Sequence, residues 1–236
     1  MSSEVKIFGA ILVAAIALVA FAVVPTLKPE KSPLPDHPVT IKDPELTKSV
    51  LVPKGSHIRG NEDAKYVLVT FSDFQCPQCM KSAPLIEELY QKNKDKLALV
   101  YHNFQARTDH FNSKTLDQAA EAAGLQGKFW EMHDILFKNQ DKLLEPDKDK
   151  TVAQIDTLAK SIGLDMVKFK ADVNSKEATE AYAKDNELAL TAKARATPWS
   201  IGIAPDGRIT YLPKTDDIKT WLADGLPKPA PRATVE

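Results

Sequence analysis

Tyr66-Val67-Leu68-Val69-Thr70-Phe71-Ser72-Asp73-Phe74-Gln75-Cys76-Pro77-Gln78-Cys79 is the stretch that decides the fold. Tyr66 to Phe71 is β-rich and almost continuously apolar, the pattern of a strand buried on both faces in a sheet covered by helices. A polar approach, Ser72 to Gln75, follows. From about Cys76 to Lys94 the apolar residues Met80, Ala83, Ile86, Leu89 and Tyr90 recur at helical spacing. Pro77 suits the first turn of that helix, where a missing N–H costs nothing and the fixed φ is already helical. Pro84 lies in its interior and is expected to kink the axis, because it removes the bond to the Met80 carbonyl.

Working outward, Leu97 to Tyr101 is a second strand, so the domain opens β-α-β. Helical periodicity then takes over. Leu116, Ala119, Ala120 and Ala123 mark one helix, and Phe129, Trp130, His133, Leu136 and Phe137 the next. Val152, Ile155, Leu158 and Ile162 give a third, followed by shorter segments at about 167–173 and 178–192. Phe129, Trp130 and His133 are expected to pack the core of this helical block. Strand signal returns at Trp199 to Ala204 and Ile209 to Leu212, joined by Pro205-Asp206-Gly207-Arg208, where Asp-Gly is a strong hairpin signal. A last helix, about Asp216 to Ala223, completes β-α-β, helical insertion, β-β-α.

The 236 residues carry only two cysteines, which excludes a disulfide-stapled mini-protein and a four-cysteine zinc site. Cys76 and Cys79 stand at the start of a helix, whose free N–H groups and dipole favour an anion. A thiolate there is stabilised, and Cys76 is expected to be the exposed, nucleophilic member, with Cys79 one turn on and more covered. A structural disulfide is the weaker reading, since closing so short a loop gains only about 1.9 kcal/mol by chain entropy. Half a zinc site is weaker still: His37, His57, His102, His110 and His133 show no recognised ligand spacing. The spacing favours a redox dithiol, with no metal or cofactor.

With 31 basic and 32 acidic residues and a net charge of −1, the chain offers no field for a polyanion, and nucleic-acid binding is not expected. Ile7 to Val24 is uncharged and, as a helix, long enough to span roughly 27 Å, close to a bilayer's hydrocarbon core. A retained membrane anchor is favoured over a cleaved signal peptide, although Ala20-Phe21-Ala22 has a cleavage-like pattern. Seven of the sixteen prolines fall between Pro25 and Pro53, so residues 25–56 are expected to form an extended linker without a core. The expected layout is thus an anchor at 1–24, a linker at 25–56, a domain at 57–226 with an insertion at about 112–192, and a disordered tail at 227–236.

Phe71-Ser72-Asp73-Phe74-Gln75-Cys76-Pro77-Gln78-Cys79, Gln126-Gly127-Lys128-Phe129-Trp130-Glu131-Met132-His133-Asp134 and Thr197-Pro198 occur in that order. Together with Gly60-Asn61-Glu62-Asp63-Ala64, they make the chain resemble the DsbA-like branch of the thioredoxin superfamily, in particular its membrane-anchored thioredoxin 4 proteins. The resemblance implies an α/β thioredoxin fold with an inserted helical domain, acting as a thiol–disulfide oxidoreductase outside the cytoplasm. Cys76 would be the attacking or attacked sulfur and Cys79 the resolving one, with Pro77 and Gln78 modulating them. Pro198 would be cis, and Thr197 would offer its backbone to an extended substrate peptide. Implied partners are secreted proteins with free thiols, a quinone-linked thiol oxidase of the DsbB- or VKOR-like kind, and the bilayer. The alternatives are an isomerase or reductase fed by a membrane electron carrier, and a binding module or metallochaperone.

Two departures stand out. The family's buried strand acid is replaced by Thr70, which cannot titrate, leaving Asp73 on the approach loop as the candidate proton-relay substitute. The stretch after the second strand is His102-Asn103-Phe104-Gln105-Ala106, so a loop flanking the site is expected to differ in shape.

Overall fold

The computed structural model describes residues 34–144 and 146–224. Strand β1 is Val39–Thr40, β2 is His57–Arg59 and β3 is Tyr66–Ser72. Strand β4 is Leu97–Asn103, β5 is Trp199–Ile203 and β6 is Ile209–Tyr211. They form one mixed sheet in the order β1-β6-β5-β3-β4-β2. β3 and β4 run parallel, with Val69 opposite Val100, and the other neighbouring pairs are antiparallel.

Alternation along β3 explains why its sequence looks continuously apolar. Val67, Val69 and Phe71 enter one buried cluster with Ile201 of β5, while Leu68 enters another on the opposite face. The latter holds Ile86 of α2 (Pro77–Asn93) and Trp221 of the closing helix, which spans Thr215–Asp224. Burying each of these large apolar side chains contributes about 1.5–3 kcal/mol. Gly202 is required by this packing: a Cβ there would lie 2.6 Å from the Trp221 ring and 2.9 Å from Leu212. The β5–β6 turn fits its Asp-Gly signal, with Gly207 at φ 80° and the Asp206 carboxylate accepting from the Arg208 N–H at 3.0 Å.

The helical insertion comprises α3 (Ser113–Gly124), α4 (Phe129–Lys138), α5 (Gln140–Leu143), α6 (Lys148–Ser161), α7 (Met166–Asp172) and α8 (Lys176–Thr191). Asp147, Asp165 and Ser175 cap the last three, each accepting backbone N–H groups of the first turn. Leu116, Ala119, Met132, Leu136 and Ile155 fill its interior, and that cluster includes Phe74, Cys76 and Cys79. The insertion is therefore continuous with the site.

The expected linker at 25–56 needs correction where it is described. The compact unit begins at Pro35, and β1 pairs with β6 through Val39 opposite Tyr211 and Thr40 opposite Thr210. Leu46, and Leu51 of the short helix α1 (Lys48–Leu51), are buried against the sheet. The prolines are spaced so that Val39, Thr40 and Ile41 keep free N–H groups, and Ile41 donates to the Ile209 carbonyl at 2.9 Å. Among the described residues no helix is long and apolar enough to cross a membrane. The anchor expected at 1–24 and the tail expected at 227–236 lie outside them.

Candidate active site

Cys76 is the N-cap of α2, with φ −76° and ψ 120°, and Pro77 occupies the first turn as its sequence position requires. The strand–helix junction thus aims the Cys76 sulfur at the free N–H end of the helix. Pro77 and Gln78 are exposed, but the sulfurs are not. Cys76 is 5% exposed and Cys79 1%, so the expectation of an exposed Cys76 is corrected. The cause is the insertion, which closes over the approach loop.

That loop is buried and strapped by polar side chains. Gln140 donates to the Phe74 and Cys76 carbonyls at 2.7 and 3.0 Å. The Asn112 N–H donates to the Gln75 side chain at 2.5 Å. Asp73 is fully buried, and both its oxygens are engaged: Oδ1 accepts the Gln75 N–H at 2.9 Å, and Oδ2 meets His110 Nδ1 at 2.6 Å. The divergent stretch after β4 has a similar holding role. His102 Nδ1 meets Asp185 at 2.7 Å, the Asn103 N–H donates to the same carboxylate at 2.8 Å, and Tyr182 donates to Gln105 at 2.7 Å. Asp185 and Tyr182 lie on α8, so these bonds tie the insertion back to the sheet.

Thr197-Pro198 is a cis peptide, and the Thr197 carbonyl lies 3.3 Å from Cys76 Sγ, accepting from the thiol. The structure therefore brings together Cys76, Cys79, Pro77, Gln78, Thr197 and Pro198 in one place. Asp73 adjoins them through its backbone carbonyl, which accepts the Cys76 N–H at 2.9 Å.

The two thiols differ sharply in acidity. The Cys79 thiol donating to the Cys76 sulfur lowers the Cys76 pKa to about 5, helped by Thr197 and the N–H groups of Cys79 and Gln78 against the opposing effect of burial. Burial, then the neighbouring Cys76, pushes Cys79 well above the ordinary thiol range. Among the described residues no group of three or more histidine, cysteine or carboxylate side chains is placed to hold a metal ion.

Sequence reading missed His110 and Gln140. Each acts on a residue distant in sequence, and nothing in the local pattern marks it. Beneath Cys79, a pocket of about 40 Å³ is bordered by Cys79, Thr70, Tyr101 and His133. His133 was expected only to pack the insertion core, and it does touch Phe74, Tyr101 and Phe137.

Two sulfurs in contact, one acidic and one held protonated, are what thiol–disulfide exchange requires. On this sheet, and beside a cis-proline loop, they form a dithiol site set in a thioredoxin-type fold. The thioredoxin family Thioredoxin_4 matches residues 53–223, and the chain belongs to it. Among solved structures, a thioredoxin-like oxidoreductase from Silicibacter pomeroyi is 20% identical, with a TM-score of 0.61 over 76% of this chain and 98% of that one. Oxidised BdbD from Bacillus subtilis is 22% identical, with a TM-score of 0.59 over 72% and 92%. At these identities the likeness is one of fold. A Na(+)/H(+) antiporter NhaA 1 of Mycolicibacterium vanbaalenii is 35% identical over 148 residues, 62% of this chain and 23% of that protein. The chain spans about a quarter of the antiporter's length, and the transport activity in that name belongs to the antiporter.

Proposed function

We propose that the chain is an extracytoplasmic enzyme that oxidises substrate protein thiols through a Cys76–Cys79 redox disulfide. The observation that carries this reading is the split between the two thiols, with Cys76 at about 5 and Cys79 held well above the usual thiol value. A thiol of low pKa leaves readily, which makes its disulfide the more oxidising. A substrate thiolate attacks Cys76 Sγ in the disulfide, and the electron pair of the broken S–S bond leaves on Cys79. A second substrate thiolate then attacks the substrate sulfur of the mixed disulfide. The substrate disulfide forms, and Cys76 leaves as a thiolate. Two electrons pass to the enzyme, and no cofactor is needed.

In this reading the Thr197 carbonyl beside Cys76 pairs with an extended substrate backbone, and cis Pro198 shapes that edge. Pro77 and Gln78 set the reactivity of the pair from the exposed first turn. Gln78 adds no positive charge to the helix end, so the couple is milder than one with a cation there. Asp73, with both oxygens engaged, holds the approach loop. The apolar run Ile7 to Val24 supports a membrane anchor and a catalytic domain on the extracytoplasmic side. Reduced enzyme would return its electrons to a quinone-linked thiol oxidase in that membrane.

Equilibration with glutathione tests the direction. The expected potential lies between about −180 and −120 mV, the range of isomerases and strong oxidants. A value near −270 mV, about that of thioredoxin, would assign the site to a reductase fed by a membrane electron carrier instead.

A further inference from the structure

Cys79 is 1% exposed, and both burial and Cys76 oppose its ionisation. To attack a mixed disulfide on Cys76 it must first hand its proton to a group inside the fold. Thr70, opposite Tyr101 and Ser200 in the sheet, has a hydroxyl that is no base near neutral pH. Asp73 has both oxygens committed. The pocket of about 40 Å³ against Cys79 is wide enough to admit water, and His133 forms part of its wall.

The same imidazole borders an open groove on the outside, beside Met80, Pro84 and Phe137. One side chain thus joins the inner pocket to the surface. His133 Nδ1 lies 2.8 Å from Asp134 Oδ1. An ionised carboxylate only accepts, so Nδ1 carries the hydrogen and Nε2 keeps a lone pair. The charged groups facing the ring are Asp134 on its own helix, Arg59 from β2, Glu87 from α2 and Lys138 at the groove. Arg59 pairs with Asp134 at 2.7 Å and also with Glu87. Burial holds His133 below the usual histidine range, with Asp134 and Glu87 opposing and Arg59 adding to the effect, so the ring is neutral at neutral pH.

We propose that His133 accepts the Cys79 proton, through water in the pocket, when the mixed disulfide is resolved, and releases it to the outer groove. The proposal rests on the Cys76–Cys79 exchange reading above. The step begins with a mixed disulfide between Cys76 and a partner, formed when the Cys76 thiolate attacks the partner's own disulfide. Cys79 S–H yields its proton to His133 Nε2, and the Cys79 thiolate attacks Cys76 Sγ. The bond from Cys76 to the partner sulfur breaks, the partner leaves as a thiolate with the electron pair, and the enzyme disulfide closes. The imidazolium, balanced by Asp134, then loses its proton through the groove. The partner disulfide is the oxidant.

Reduced full-length protein mixed with dithiobis-nitrobenzoate separates the two steps, because Cys76 attack releases one thionitrobenzoate and Cys79 attack a second. In His133→Gln the first phase is expected to be unchanged. The second is expected to slow about 100-fold near neutral pH, the size of a lost general base, and to rise with hydroxide instead of levelling off. A second phase with wild-type rate and pH profile overturns the proposal. Wild-type protein that releases no second equivalent overturns the exchange reading itself. Should His133→Gln fail to fold, Asp134→Asn decides on the same readout. It is expected to slow the second phase and to move its pH midpoint downward, since the carboxylate that favours the imidazolium is lost, and an unaltered second phase overturns the role of His133.

Discussion

Cys76 and Cys79 lie one helical turn apart, yet their sulfurs have opposite surroundings. Cys76 receives hydrogen bonds from the Cys79 thiol, the Thr197 side chain and the N–H groups of Cys79 and Gln78 at the start of α2, and its pKa is lowered to about 5. Cys79 faces inward, among residues of the insertion core, and is pushed the other way. Both are almost fully covered from solvent, but Cys79 lies deeper and desolvation weighs more on it. What separates them is whether hydrogen-bond donors reach the sulfur before desolvation dominates. The Cys79 thiol is the foremost of those donors at Cys76, with the N–H groups of the helix start adding to it, and a single turn inward burial prevails.

The most drastic way to break this comparison is to remove each sulfur in turn. Cys76→Ser is expected to abolish exchange with a model disulfide. Cys79→Ser is expected to keep the first attack and accumulate a stable mixed disulfide, visible as a mass adduct on Cys76. Turnover by Cys79→Ser, or adducts on Cys79 in the Cys76→Ser protein, would remove the distinction between attacking and resolving thiols.

A smaller effect measures the gap itself. Because the Cys76 pKa is lowered, the thiolate is present above about pH 5 and is reprotonated as the pH falls through that value. Alkylation of Cys76 should therefore stay on its plateau at neutral pH and halve near pH 5. Linkage carries the same sign: a thiol whose folded pKa lies below its unfolded value stabilises the reduced fold at higher pH. That contribution is complete above the ordinary thiol range and is lost as pH falls toward 5. A midpoint near 8 in the alkylation profile would return Cys76 to the ordinary thiol range and overturn its part in the comparison.

Period and turn signals made the sheet legible, because strands β3 to β6 each bury both faces or end in a recognisable turn. The dithiol was legible for the same local reason, with Pro77 marking the helix start. The cis peptide at Thr197-Pro198 was available only through family resemblance, since nothing local distinguishes it from a trans one. β1 and α1 were hidden by their prolines, which suggested a linker although Leu46 and Leu51 reach the core. His110 and Gln140 were hidden because a polar residue on a helix or loop looks solvated until its distant partner is known, whereas His133 sits in the insertion core as its helical spacing implies. The polar residues that bury the loop are long-range features, and that is why the expectation of an exposed Cys76 failed.

The smallest expected effect tests which kind of carboxylate Asp73 is. Its oxygens receive the Gln75 N–H and meet His110 Nδ1, so it bonds the approach loop to the segment that enters the insertion. Asn keeps the shape and one acceptor oxygen but loses the charge that strengthens both bonds. Asp73→Asn should therefore cost about 1–2 kcal/mol in urea unfolding. The loss falls on the loop rather than on Cys79, so the second thionitrobenzoate phase should keep its wild-type pH profile. His133→Gln should show the reverse pattern, a displaced profile in the second phase. If Asp73→Asn moves the profile and leaves stability intact, Asp73 is the proton carrier and the buried loop owes its order to Gln140 and Asn112 alone.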